Sequence, residues 1–329
     1  MSTRKERIDV FQDTMRWIER EPKLGKAVEK AKRKTKIFYD HDYPVFDASR
    51  LRDQKVSVSA DRSFQAAMRL KKEFPESRIA VLNFANAFHP GGGVEAGASA
   101  QEECLCRCST LYPLLNRNYL FNNFYDYHEE QGTDNASDTL VYTEGVVICK
   151  TDEDLPQRMP EEDWVTVDVI TAAAPDLNSY PNLVLVESPT ARPPMEGSSL
   201  PGLFNNQPAM SNAALFGYHV KRAIHILTVA AAKGADILVT GAFGCGAFRN
   251  NPKVVANAWR TALSIFPKVF ERVEFAVFCA DEEMENYRVF RDMFAYLEVC
   301  LSAGVLLRIE PINCLLYNTD TRNKMYHIN

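Results

Sequence analysis

Short apolar runs alternate along this chain with segments of helical length, and that alternation restricts the fold more than any other feature. The pattern predicts strands over 78–84, 145–150, 165–174, 235–241 and 273–279. It predicts helices over 64–74, 99–115, 213–233, 252–266 and 281–297. In the longest of these Phe216, Val220, Ile224 and Leu227 share one face, and Pro252 suits the first turn of the helix it opens. Strands alternating with helices imply a sheet that is largely parallel and covered on both faces. Ligands of such sheets bind beyond the carboxyl ends of the strands. Two glycine-rich segments of this sequence fall there, directly after the strands at 78–84 and 235–241.

Outside that core, residues 4–35 carry Val10, Phe11, Met15, Trp17 and Ile18 at helical spacing and read as one or two surface helices, with Pro22 as the break. The basic run 26–36 reads as a solvated face, and an extended stretch with Ile37, Tyr39 and Tyr43 follows. The segment 187–207, rich in Pro, Ser and Gly, reads as a surface insertion. Residues 1–300 are expected to form a single domain that includes N-terminal helices over about 1–60, with 301–329 as a weakly ordered tail.

Composition narrows the function classes. With 329 residues, 46% of them hydrophobic, a sizeable core can be buried. A net charge of −5 argues against direct nucleic-acid binding, which calls for a basic excess. No run is long and apolar enough to span a membrane, and residues 1–7 lack the apolar stretch of a signal peptide. The expected setting is therefore intracellular, cytoplasmic or nuclear, with no membrane partner. The cysteine spacing does not form a secreted disulfide framework. Cys104, Cys106 and Cys108 are wrongly spaced for a zinc knuckle and read as packed thiols, so no metal site and no cofactor are expected. The acidic residues Asp152, Asp154, Glu161, Glu162 and Asp163 read as a solvated loop rather than a cation site.

The richest segment is 81–107. Gly91, Gly92 and Gly93 permit positive φ and close approach of a ligand to backbone. Gln101, Glu102 and Glu103 then open a helix, where acidic side chains are favoured by the dipole alone. The combination resembles the signature of the microbial-type poly(ADP-ribose) glycohydrolase family, Gly-Gly-Gly followed after six to eight residues by Gln-Glu-Glu. Here the spacer is the seven residues 94–100. Asn83, Phe84, Ala85 and Asn86 ahead of it, and Leu111, Tyr112 and Pro113 behind it, also look like the family. The segment 240–252, Thr-Gly-Ala-Phe-Gly-Cys-Gly-Ala-Phe-Arg-Asn-Asn-Pro, resembles the family's diphosphate-binding loop. Its glycines can form a nest of backbone N–H groups ahead of a helix N-terminus, an arrangement that suits an anion. Weaker similarity runs through 141–152, 168–178 and Asn286–Tyr287, so the likeness covers roughly residues 5–298.

The resemblance implies a macrodomain-like three-layer α/β/α fold with a mixed, largely parallel central sheet and an N-terminal helical extension. It implies metal-independent hydrolysis of ribose–ribose O-glycosidic bonds, with poly(ADP-ribose) or ADP-ribosylated proteins as substrate and ADP-ribose as product. By the same resemblance Glu103 donates the proton to the leaving oxygen and Glu102 holds ribose hydroxyls. Asn86, Gln101 and Gly91, Gly92 and Gly93 belong to the ribose side. Gly241, Ala242, Gly244, Cys245, Gly246 and Ala247 would cradle the diphosphate, and Phe248 would pack on the ribose. Tyr287 is a candidate adenine contact, with helix packing as its ordinary role, and His89 is expected to cap its loop. Two other functions fit the same residues: a hydrolase of mono-ADP-ribosyl proteins or O-acetyl-ADP-ribose, and a non-catalytic ADP-ribose reader.

Overall fold

A computed structural model describes residues 2–47, 52–130, 137–179, 210–281 and 284–302. The expected insertion at 187–207 and nearly all of the expected tail at 301–329 lie outside the described residues. The chain opens with helices α1 (Arg4–Arg20) and α2 (Pro22–Lys34). They part at Pro22, which lacks the N–H to continue α1 but suits the first turn of α2. A capping box between Thr3 and Glu6 starts α1. Strands β1 (Lys36–Phe38) and β2 (Lys55–Ser59) follow, then α3 (Ser63–Glu73), β3 (Ile79–Ala85) and α4 (Gln101–Cys108). Short helices α5 (Tyr112–Leu115), α6 (Asn118–Leu120) and α7 (Asp126–Glu130) lead to β4 (Leu140–Ile148) and β5 (Val165–Ala173). The remainder is α8 (Asn212–Ala232), β6 (Ile237–Thr240), α9 (Pro252–Ile265), β7 (Arg272–Ala276) and α10 (Glu285–Ser302).

The strands form one sheet in the order β1-β4-β5-β3-β6-β7-β2. From β5 to β2 every neighbour is parallel, while β4 runs antiparallel to both β1 and β5. Alternation along β3 shows why two helical layers are needed. Ile79 and Val81 join a core with Phe11, Leu24, Phe64 and Leu105 on one face, and Ala80 and Leu82 join Leu227, Trp259 and Phe290 on the other. The architecture is the expected three-layer α/β/α sandwich around a mixed, largely parallel sheet.

Several expectations change. The helix predicted over 99–115 is two helices. Ser109 is extended and bridges Ile148, and Thr110 donates to Val147 O at 3.0 Å, so sheet pairing stops α4 at Cys108. Strand β4 starts at Leu140, earlier than predicted, because a register shift between Thr143 and Val146, with Gly145 at φ 82°, interrupts its alternation. Strand β2 and the helical stretch at 118–130 have no counterpart in the sequence expectations. Asp152 does not belong to a solvated loop. It is buried, it accepts the Phe64 N–H at 3.0 Å, and burial pushes its carboxyl up from the usual range. Asp154, Glu161, Glu162 and Asp163 are exposed as expected. Cys104, Cys106 and Cys108 are all buried free thiols, and Cys106 and Cys108 belong to the same core as Phe11 and Leu105.

Because β3 is central and Leu82 is fully buried, Leu82→Ala should cost about 2–5 kcal/mol by transfer and cavity formation. Urea unfolding of the variant against wild type measures that loss, and a cost below about 1 kcal/mol would contradict close packing at this position.

Candidate active site

The site begins where β3 runs out. Asn86 turns the chain: its Oδ1 accepts the N–H groups of Phe88 at 2.8 Å and His89 at 2.9 Å. Gly92 N donates to His89 O at 3.0 Å, so His89 closes the turn through its backbone while its exposed imidazole takes no part. Gly91 and Gly92 have φ of 69° and 57°, values that favour glycine. Space makes the same demand. A Cβ on Gly92 would lie 2.6 Å from Glu103 Oε1, and one on Gly91 would lie 2.7 Å from Tyr112 Cδ2.

Helix α4 then returns beneath this loop, and its first three side chains are held differently. The Gln101 amide is occupied by protein: Oε1 accepts from Phe84 N at 2.9 Å, and Nε2 donates to Leu82 O at 2.8 Å and Ser63 Oγ at 3.0 Å. Glu102 is buried, accepting from Asn86 N at 2.8 Å and from Asn83 Nδ2 at 3.1 Å. Burial outweighs these bonds and, with the neighbouring Glu103 charge, pushes its carboxyl up to about 8. Glu103 Oε1 accepts the Gly93 N–H at 2.9 Å. Its Oε2 is buried and finds no hydrogen-bond partner among the described residues.

The opposite wall is the loop between β6 and α9. Gly241 lies against β7, where a Cβ would come within 2.5 Å of Ala276 O. Gly244 has φ 77°, with a Cβ position 2.6 Å from that of Ala174. Buried Asn250 ties the loop together, donating to Pro175 O at 2.8 Å, Gly244 O at 3.0 Å and Phe248 O at 3.2 Å, and meeting His219 Nε2 at 2.8 Å. The asparagine does for this loop what the glycines alone could not, since backbone carbonyls buried without partners are costly.

Between the walls lies a cleft of about 360 Å³, large enough for most of a nucleotide-sized ligand. Of the residues named from the sequence, Asn86, Gly92, Gln101, Glu102 and Glu103 line one side. Ala242, Gly244, Gly246, Ala247 and Phe248 line the other. Gly91, Gly93, Gly241 and Cys245 stand behind the lining. The Phe248 ring both lines the cleft and packs on the core. Sequence reasoning missed Arg62, Asp152 and Phe278. Phe278 is 48% exposed, and the Arg62 guanidinium lies 4.1 Å from its ring centroid. The predicted strand over 273–279 concealed Phe278: β7 ends at Ala276, which places Phe278 beyond a carboxyl end, where a ligand is expected. Asn286 lines the cleft, whereas Tyr287 packs against the core. Among the described residues no three His, Cys, Asp or Glu side chains stand together as metal ligands.

Residues 12–151 match the family model described as the microbial-type PARG, catalytic domain. Two solved structures extend the likeness beyond it. The poly(ADP-ribose) glycohydrolase of Thermomonospora curvata bound to the inhibitor ADP-HPD is 26% identical, with a TM-score of 0.68, over 87% of this chain and 98% of that one. The poly(ADP-ribose) glycohydrolase of Deinococcus radiodurans in complex with ADP-ribose is 29% identical, with a TM-score of 0.65, over 82% of this chain and 97% of that one. No curated protein sequence matches at a significant level.

The raised Glu102 carboxyl has a consequence for stability. Its folded value, about 8, lies above the ordinary 4.5, so the folded state binds the extra proton and stability is lost as pH rises between those values. Glu102→Gln should remove this dependence. In urea titrations at several pH values from about 5 to 8 the variant should gain on wild type as pH rises. A constant difference would show that Glu102 is already ionised when folded.

Proposed function

We propose that this chain is a poly(ADP-ribose) glycohydrolase that uses Glu103 as proton donor and then as base. The observation that carries this reading is the division of labour on Glu103, a residue of the cleft lining: the Gly93 N–H holds Oε1, while Oε2 is buried and has no hydrogen-bond partner among the described residues. A buried carboxyl oxygen without a partner is costly in a folded protein, and a bound ligand oxygen would satisfy it.

The chemistry follows from that placement. A ribose alkoxide leaves poorly, so the glycosidic oxygen needs a proton as the bond breaks, and the anomeric carbon becomes oxocarbenium-like. Glu103 supplies the proton through Oε2. As a carboxylate it then takes a proton from the incoming water, which attacks the anomeric carbon. Glu102 keeps its own proton near neutral pH and can donate it to a ribose hydroxyl. The backbone of the loop from Gly241 to Phe248, followed by the N-terminus of α9, suits a diphosphate. That diphosphate, held near the reacting ribose, supplies negative charge that a second carboxylate provides in other glycosidases. Phe278, with Arg62 over its ring, offers a flat face for the adenine. Gln101 is assigned a positioning role, because its amide is spent on β3 and α3. ADP-ribose is the product. None of these steps calls for a metal ion. Among the described residues no helix is long and apolar enough to cross a membrane.

Purified poly(ADP-ribose) incubated with the full chain in the presence of a chelator should release ADP-ribose. Glu103→Gln should lower turnover on the order of 100-fold or more while retaining affinity for ADP-ribose. Binding of ADP-ribose without release from polymer would replace this reading with that of an ADP-ribose reader or a hydrolase of other ADP-ribose conjugates.

A further inference from the structure

Helices α1 and α2 stand outside the chemistry described so far, yet α1 touches the catalytic loop at two separated points. Arg7 Nε donates to Gly97 O at 2.7 Å. The approach there is close enough that a Cβ on Gly97, itself at φ 72°, would collide with the Arg4 carbonyl. One turn further along α1, Phe11 sets its ring edge-on to Tyr112, with centroids 4.9 Å apart. Tyr112 in turn lies beneath Gly91, and its hydroxyl donates to Glu95 Oε1 at 2.6 Å.

Between these two points the loop is a continuous ladder of short bonds. Val94 N donates to Gly91 O at 3.1 Å, Gly97 N to Val94 O at 3.0 Å, and Ala98 N to Gly93 O at 3.0 Å. The same Gly93 presents its N–H to Glu103 Oε1. A third tie reaches the loop through α4. Thr14 Oγ1 donates to Arg107 O at 2.7 Å, and Arg107 Nη1 donates to Ala98 O at 2.6 Å.

We propose that α1 is a brace for the catalytic loop, and that Arg7 is a positioning residue acting through Gly97 and Gly93 on the Glu103 carboxylate. This rests on the reading of Glu103 as the proton donor. Arg7 touches none of the cleft, so its loss should leave the loop's fold and the diphosphate side intact. It should let Gly93 and the carboxylate wander from the position at which Oε2 meets the leaving oxygen. Small displacements of a reacting group are expensive in rate, since a misplacement of about 1 Å can cost on the order of 100-fold.

The test uses the full chain with Arg7→Ala, Arg7→Lys and Phe11→Leu. Turnover of poly(ADP-ribose), affinity for ADP-ribose and amide hydrogen exchange over 91–98 are measured for each variant and for wild type. Arg7→Ala should lower kcat about tenfold, with KM and ADP-ribose affinity within about twofold, and should speed exchange across the loop. Arg7→Lys, which keeps a donor for Gly97 O, should recover most of kcat, and Phe11→Leu should speed exchange at the Gly91 end first. The proposal is overturned if Arg7→Ala keeps wild-type kcat and exchange, or if kcat, affinity and global stability fall together and Arg7→Lys does not rescue. If wild type releases nothing from polymer, the functional reading fails, and the exchange comparison still decides whether α1 braces the loop.

Discussion

The hydrogen bond from Gly93 N–H to Glu103 Oε1 is the contact on which the rest of the site depends. It fixes one oxygen of a buried carboxyl and leaves the other without a hydrogen-bond partner among the described residues. A bond of that kind requires backbone to pass within hydrogen-bonding distance of a helix's first turn. Only glycine allows it here, because a side chain at Gly92 would occupy the place of the carboxylate itself. The triple glycine, the spacer and the acidic pair are therefore one geometrical unit. The spacer has to rise from the loop, turn at Gly97 and come back in time for α4 to present Glu103 beneath Gly93.

The sheet supplies the frame for this unit. Strand β3 is central, flanked by β5 and β6, and both glycine-rich loops leave the carboxyl ends of adjacent strands. Their adjacency is what turns two separate sequence motifs into two walls of one cleft. The buried polar groups follow the same logic. Gln101 closes α4 onto β3 and α3, Asn83 reaches up to Glu102, and Asn250 gathers the carbonyls of the opposite loop. Each uses a side-chain amide, which can meet both donors and acceptors without adding charge to an interior already holding Glu102 and Glu103.

Much of this could be read from the chain. The layers were legible because the apolar runs at 79–85 and 237–240 have the lengths of buried strands and each precedes an amphipathic helix. The loop at Gly91–Gly93 and the acids at Glu102 and Glu103 were legible because backbone close approach leaves a direct mark in residue type. What escaped was whatever depends on partners far away in sequence. Strand β2 is a short Lys-Val-Ser-Val-Ser whose pairing with β7 joins residues 55–59 to 272–276; its alternation is a strand signal, but one carried by only two apolar residues. Missing β2 also hid Arg62, which follows it into the cleft. Asp152 sits in an acidic stretch that invites a solvated reading, and the backbone N–H groups that open α3, with Arg62 and Arg107 nearby, draw it inside. Ser109 ended a helix that its neighbours would have continued, because the edge of β4 claimed it.

The central claim is that the cleft holds an ADP-ribose unit with its distal ribose against Glu103. The most direct measurement is a crystal structure of the full chain with ADP-ribose bound. The account predicts the diphosphate on the backbone between Gly241 and Phe248, with an oxygen on the anomeric carbon of the distal ribose at about 2.6–3.2 Å from Glu103 Oε2. A ligand whose distal ribose points away from α4, with Glu103 Oε2 still lacking a partner, would contradict it.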